Sequence, residues 1–116
     1  MNRTIKFRAW ENNLKEIIPV EEINFNSLMI NQTTAWRFID EVELMQYTGL
    51  KDKNGIEIYE DDLVAEEHGR IYRVVFKGDC WRCEPISRGS KNRWLSNYLE
   101  IIGNIYENPE LLERSE

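Results

Sequence analysis

The chain has two cysteines, one histidine, three prolines and no long apolar run, and each shortage removes a class of protein. Cys80 and Cys83 cannot build the disulfide framework of a small secreted domain, and they agree with a reducing compartment. With His68 as the sole histidine, neither a histidine-rich metal site nor a local His-nucleophile arrangement is available. The N-terminal stretch MNRTIKFRAW alternates charge with apolar residues, so it lacks the continuous apolar centre of a signal peptide. Nowhere do the about twenty apolar residues of a membrane helix follow one another. Repeats, low-complexity tracts and charge blocks of disordered length are also missing. These absences together predict a soluble, cytoplasmic protein with no membrane contact.

What is present is ordinary globular material: 116 residues, 41% apolar and 31% charged. That length suits one domain over 1–116, with subdomains at 1–47 and 48–116, and can bury a sufficient core without staples. Net charge is −6, which disfavours a generic nucleic-acid coat. The charge is segregated along the chain. The stretch 40–67 is strongly acidic, whereas 70–93 carries Arg70, Arg73, Lys77, Arg82, Arg88, Lys91 and Arg93 against Asp79 and Glu84.

Period-two alternation dominates the pattern and predicts a mainly β protein. Ile5, Phe7 and Ala9 alternate with Lys6, Arg8 and Trp10, and Glu11-Asn12-Asn13 reads as a turn. Further strands are expected over 14–20, 23–30 and 41–47, with 35–39 as a short helix or loop. Asn54-Gly55 favours the positive φ angles of a tight hairpin turn before Ile56 to Tyr59. The segments 63–65, 70–76 and 80–86, joined by His68-Gly69 and Lys77-Gly78-Asp79, form a meander of the kind that curls into a small barrel. A polar loop spans 87–92, a helical turn is expected at 94–98, and 99–106 reads as a last, deeply buried strand. Asn108-Pro109-Glu110 then starts a short helix through Glu113, with an Asn cap and a proline in the first turn. The expected core includes Ile5, Phe7, Val42, Leu44, Val64, Val74, Phe76, Ile101 and Ile105.

The stretches "IKFRAWENNLKEII" at 5–18, "LMQYTGLKDKNGIEIYEDDLV" at 44–64 and "IIGNIYENPELL" at 101–112 resemble the YopX family, small proteins encoded mainly by bacterial phages and prophages. The resemblance implies a mostly β protein whose second half is an SH3-like small β-barrel. Together with the strand pattern, the expectation is an all-β fold with short helices: an N-terminal antiparallel sheet from about residue 4 to 47 packed on an SH3-like small β-barrel from about 56 to 106, closed by a short C-terminal helix at 108–113. The resemblance implies no catalytic residue. Similar proteins tend to carry Tyr-Glu-Gly-Asp where this chain has Tyr59-Glu60-Asp61-Asp62. If the glycine supplies a positive φ, Asp61 must adopt it, which Asp tolerates better than most residues.

Three constellations are candidates for function. The acids around Asn54-Gly55 do not make a helix-loop-helix calcium site, because Gly55 at its sixth position would put Leu50 at the first ligand position. A metal-dependent enzyme using the acidic 57–67 cluster is the least favoured reading, and a solvated turn is the simpler one. Cys80-Trp81-Arg82-Cys83 spells Cys-x-x-Cys, but residues three apart on a strand face opposite ways and lie about 10 Å apart along it. Arg70, Trp81, Arg82, Arg88, Lys91 and Arg93 form the remaining candidate, a basic and aromatic surface for a partner. Such a surface could hold single-stranded nucleic acid by charge and stacking; the alternative, that the arginines pair with acids and shield aromatics, is favoured. The expectation is a non-catalytic binding or assembly module without cofactor or metal. Its partner would be a host or phage protein, with self-association as a homo-oligomer suggested by the segregated charge.

Overall fold

Nearly every apolar alternation in the sequence becomes a strand in the computed structural model, which describes residues 4–32, 35–86 and 91–113. The chain divides into two compact units, Met1–Tyr47 and Thr48–Glu116.

In the first unit β1 (Phe7–Glu11) pairs antiparallel on one side with β2 (Glu16–Val20) and on the other with β6 (Val42–Lys51). A three-stranded antiparallel sheet of β3 (Glu22–Asn24), β4 (Met29–Gln32) and β5 (Ala35–Phe38) lies between β2 and β6 in the chain. Ala9, Ile18, Ile30 and Val42 are its buried centre, with Val20, Ile23, Ile39 and Leu44 packed around them. Each fully buried aliphatic side chain contributes roughly 1.5–3 kcal/mol against the entropy of ordering the chain.

The β1–β2 turn is closed by a buried acid. Glu11 accepts the N–H groups of Asn13 at 2.6 Å and Leu14 at 2.7 Å on one oxygen, and Arg37 Nε at 2.9 Å on the other. The Leu14 N–H and the Arg37 guanidinium, with that of Asn13, hold its carboxyl below the usual carboxylate range, outweighing the opposing effect of burial.

In the second unit the end of β6 and β7 (Glu57–Tyr59) neighbour one another around the Asn54-Gly55 turn, where Gly55 takes φ +83°. The strands β8 (Asp62–Ala65), β9 (Ile71–Lys77), β10 (Cys80–Pro85), β11 (Arg93–Trp94) and β12 (Glu100–Asn104) form a curled half-barrel sheet in the order β11-β10-β9-β8-β12. Ile58, Val64, Tyr72, Val74, Cys83 and Leu99 fill its core, flanked by Trp81, Leu95 and Ile101. The all-β class and the meander of the sequence reading are both observed.

Several local expectations are corrected. The single strand expected over 23–30 is broken into β3 and β4, because the Asn24 side chain accepts the N–H groups of Asn26 and Ser27, both at 3.0 Å, and turns the chain. Residues 35–38 are a strand rather than a helix, and only Ile39–Glu41 make a 3-10 turn, where the Glu41 carboxylate accepts the Phe38 N–H at 2.9 Å. At 94–98 there is no helical turn but the end of β11 followed by a loop. The strand at 100–104 is the outermost of its sheet and only half-buried, while Leu99 just before it is fully buried. The C-terminal helix is a 3-10 turn, Pro109–Glu113. Ile5 precedes β1 and Phe76 stands near the tip of the β9–β10 hairpin, so both are exposed instead of in the core; Phe7, Leu44, Ile101 and Ile105 are half-buried.

Cys80 and Cys83 are both free. Cys80 pairs with Lys77 and Cys83 with Val74 in the β9–β10 ladder, which places the two thiols on opposite faces. Burial pushes the Cys83 thiol up to about 11. A thiol reagent at neutral pH is therefore expected to label Cys80 in the folded protein at least tenfold faster than Cys83, with both equal in denaturant; equal rates in the native state would contradict this placement.

Candidate functional site

The acidic stretch that follows β6 turns its carboxylates onto its own backbone. Asp52 is buried; its Oδ1 accepts the N–H groups of Asn54 at 2.8 Å and Ile56 at 2.9 Å, and its Oδ2 that of Ile101 at 3.0 Å. One side chain thus closes the turn and ties it to β12. Burial alone would raise its pKa, but the N–H groups of Ile101, Ile56 and Asn54 prevail and the carboxyl lies below its ordinary value. Asp62 is fully buried and accepts the Tyr59 N–H at 2.7 Å.

Asp61 stands where the resemblance placed a glycine, and its φ is +70°. It is held there by its carboxylate. Arg73 donates through Nε at 3.2 Å and Nη2 at 3.1 Å to Oδ1, and the Tyr106 hydroxyl donates to Oδ2 at 3.2 Å. Asp61→Ala should therefore destabilise more than Asp61→Gly, by about 1 kcal/mol, since both lose the carboxylate and only glycine relieves the left-handed backbone. Equal midpoints in urea unfolding would refute that reading of the backbone.

Among the described residues no group of three His, Cys, Asp or Glu side chains is placed to hold a metal ion. The acids Asp52, Asp61 and Asp62 act as caps and ties, accepting donors from turns and strands that would otherwise be left unsatisfied.

The basic stretch is divided between the two faces of the curled sheet. In the β9–β10 ladder Trp81 pairs with Phe76 and Cys83 with Val74, while Arg82 pairs with Val75 and Glu84 with Arg73. Trp81 therefore lies on the core side, edge-to-face with Phe76 at 5.0 Å between ring centroids. Arg93 pairs with Cys83 and shares that side, its guanidinium 5.9 Å from the Tyr72 ring and bonded to Glu66. Arg82 points the other way. It is the cross-strand partner of Trp94, and its guanidinium lies 5.2 Å over the exposed Trp94 ring, a cation–π pair. Arg70 is exposed at the turn before β9, and Lys91 is exposed before β11. Arg88 lies outside the described residues.

Three bases of this stretch are paired with acids of the same chain: Arg73 with Asp61, Lys77 with Glu84 and Arg93 with Glu66. The structure therefore brings together Arg82 and Trp94 and separates them from Trp81 and Arg93. Strand alternation carried this signal, since Trp81 and Arg82 are consecutive and must face oppositely. The Asp52 tie had one too: an Asp two residues before Asn-Gly commonly bonds the turn's own backbone.

A family model described as YopX protein matches residues 6–113. No curated protein matches the sequence. Among solved structures, the crystal structure of protein EF1440 from Enterococcus faecalis is similar with a TM-score of 0.73 and 24% sequence identity, covering 96% of this chain and 99% of that one. That likeness concerns the fold. Within the described residues no helix is long and apolar enough to cross a membrane.

Proposed function

Since the chain belongs to the YopX family, we propose that it is a phage or prophage protein acting in the host cytoplasm as a non-catalytic binding module for a host or phage protein. The observation that carries this reading is the Arg82–Trp94 pair on the outer face of the five-stranded sheet. Arginine and tryptophan are the residue types that most often anchor protein interfaces. Here the guanidinium is already positioned over an exposed ring, so little side-chain freedom is lost on binding. Arg82 presents charge-assisted donors for a carboxylate or carbonyl, Trp94 an apolar plane, and Arg70 and Lys91 are exposed bases of the same segment.

The nucleic-acid reading is weakened by pairing. With Arg73, Lys77 and Arg93 each bonded to an acid, less unbalanced positive charge faces a phosphate backbone than the seven bases of the sequence suggest. Catalysis by the acidic stretch is disfavoured because Asp52, Asp61 and Asp62 already accept backbone or side-chain donors.

Affinity capture from infected or lysogenic cells, with nuclease treatment, tests the reading against wild type and an Arg82→Glu/Trp94→Ala variant. A protein retained after nuclease and lost at least tenfold in the variant is the expected result. Retention that vanishes with nuclease, or that the variant leaves unchanged, would refute it.

A further inference from the structure

The three-stranded sheet of the first unit has one face in the core and one in water. Ile23, Ile30 and Arg37 are aligned across β3, β4 and β5, and they turn inward: Ile30 is fully buried and Arg37 reaches Glu11. The alternate residues must point outward. They include Met29, aligned with Phe38 across the β4–β5 ladder, and Trp36, two residues before Phe38 on the same strand. Trp36 is 47% exposed and Phe38 53%. At the adjoining β3–β4 turn Phe25 is 77% and Leu28 59% exposed.

We propose that this outer face is the contact between two copies of the chain, paired about a two-fold axis. Large aromatic side chains offer about 150–250 Å² each, so the exposed parts of Trp36 and Phe38 on the face, with those of Phe25 and the smaller Leu28 at the adjoining turn, supply on the order of 500 Å² of apolar surface. The largest apolar patch of a typical monomer is about 300–600 Å² and often functional. A standard interface needs about 800 Å² per partner, so four side chains provide more than half, leaving the remainder to a polar rim. Among the described residues the centre of the face carries Met29, Trp36 and Phe38 and no charge, with Glu22 the acid of the outward row on the far strand. A charged partner would find no complement there. A second copy would, because an isologous contact lays each apolar row on its twin and brings no like charges together at the centre.

This surface lies on the first unit and shares no residue with the Arg82–Trp94 surface. The test is sedimentation equilibrium of the full chain from about 1 to 200 μM, with a Trp36→Ser/Phe38→Ser variant whose altered side chains are exposed. Wild type is expected to approach twice the chain mass and the variant to remain at one, its dissociation constant raised at least tenfold, with unchanged far-ultraviolet circular dichroism. A second variant, Phe25→Ser, confined to the turn, should weaken the dimer by a smaller factor. A monomeric wild type across that range, which would leave the face to a foreign partner, or a dimer that survives in the double variant, overturns the proposal. Partner capture through Arg82 and Trp94 by a monomeric double variant would separate this result from the proposed function.

Discussion

Asp52→Ala should lower the free energy of unfolding by about 3–5 kcal/mol. Hydrogen bonds to a charged group contribute about 1.5–3 kcal/mol each, and a buried donor left without a partner costs about 1–3 kcal/mol. Three N–H groups depend on this one carboxylate, and that of Ile101 comes from a strand 49 residues away. Water can reach the turn N–H groups of Asn54 and Ile56 more readily than that of the half-buried Ile101, which keeps the figure below the simple sum. Against a total of about 5–15 kcal/mol for a domain of this size, such a loss should move the urea midpoint severalfold further than a surface substitution does. A change below about 1 kcal/mol would mean that the tie to β12 is dispensable.

The same carboxylate sets part of the acid limit. Its folded pKa lies below the ordinary 3.8, so at pH values between the two the unfolded chain binds the proton more strongly than the folded one. The stabilisation is fully present above the unfolded value and is lost as pH falls through the folded one. Glu11 acts in the same sense. Wild type should therefore lose stability as pH drops below about 4. Asp52→Asn, which cannot ionise and turns an amide donor toward one of the N–H groups, should be less stable at neutral pH and show a shallower acid limb. An acid limb of wild-type slope would assign the pH dependence elsewhere.

Gly103→Ala is expected to cost about 2–4 kcal/mol, the overpacking of a close contact plus a lost hydrogen bond. A Cβ at Gly103 would stand 2.3 Å from Asn108 Oδ1 and 2.7 Å from its Cγ. The Asn108 side chain cannot simply swing aside. Its Oδ1 accepts the Asn104 N–H at 3.2 Å, and its backbone N–H donates to the Asn104 carbonyl at 3.0 Å. Asn104 is itself buried and accepts the N–H groups of Tyr106 and Glu107 at 3.0 and 2.8 Å. Displacing Asn108 therefore loosens the whole turn from 103 to the 3-10 turn at Pro109–Glu113. Thermal unfolding of Gly103→Ala beside Gly78→Ala provides the comparison. Nothing approaches a Cβ at Gly78, where only the φ of +68° penalises alanine, so Gly103→Ala should melt at the lower temperature.

The strands were largely legible because their apolar residues alternate: Ala9 and Val74 are buried where period two puts them. The misses came where a side chain outside the apolar pattern decides the chain path. Asn24 breaks the expected 23–30 strand by capping its own turn, and Ile5 and Phe76 keep the alternation beyond the point where a neighbouring strand covers them. Within the candidate surface, Arg82 was readable as an outward base, but its partner ring was not, since the pairing of Arg82 with Trp94 depends on a two-residue strand with no alternation to announce it. The carboxylates of Asp52, Asp61 and Asp62 read as a charged surface because burial of an acid can be recognised only when its donors are known, and the Ile101 donor is remote in sequence.

The two-residue β11 and the register shift of β12 between Ile101 and Gly103 bear on edge-to-edge aggregation of the five-stranded sheet. An open sheet offers dangling amides and carbonyls at both margins, on which a stray strand can crystallise into fibres. Here one margin is too brief to serve as a template and the other is kinked out of line. Lengthening β11 or straightening β12 should therefore make the protein clump more during refolding.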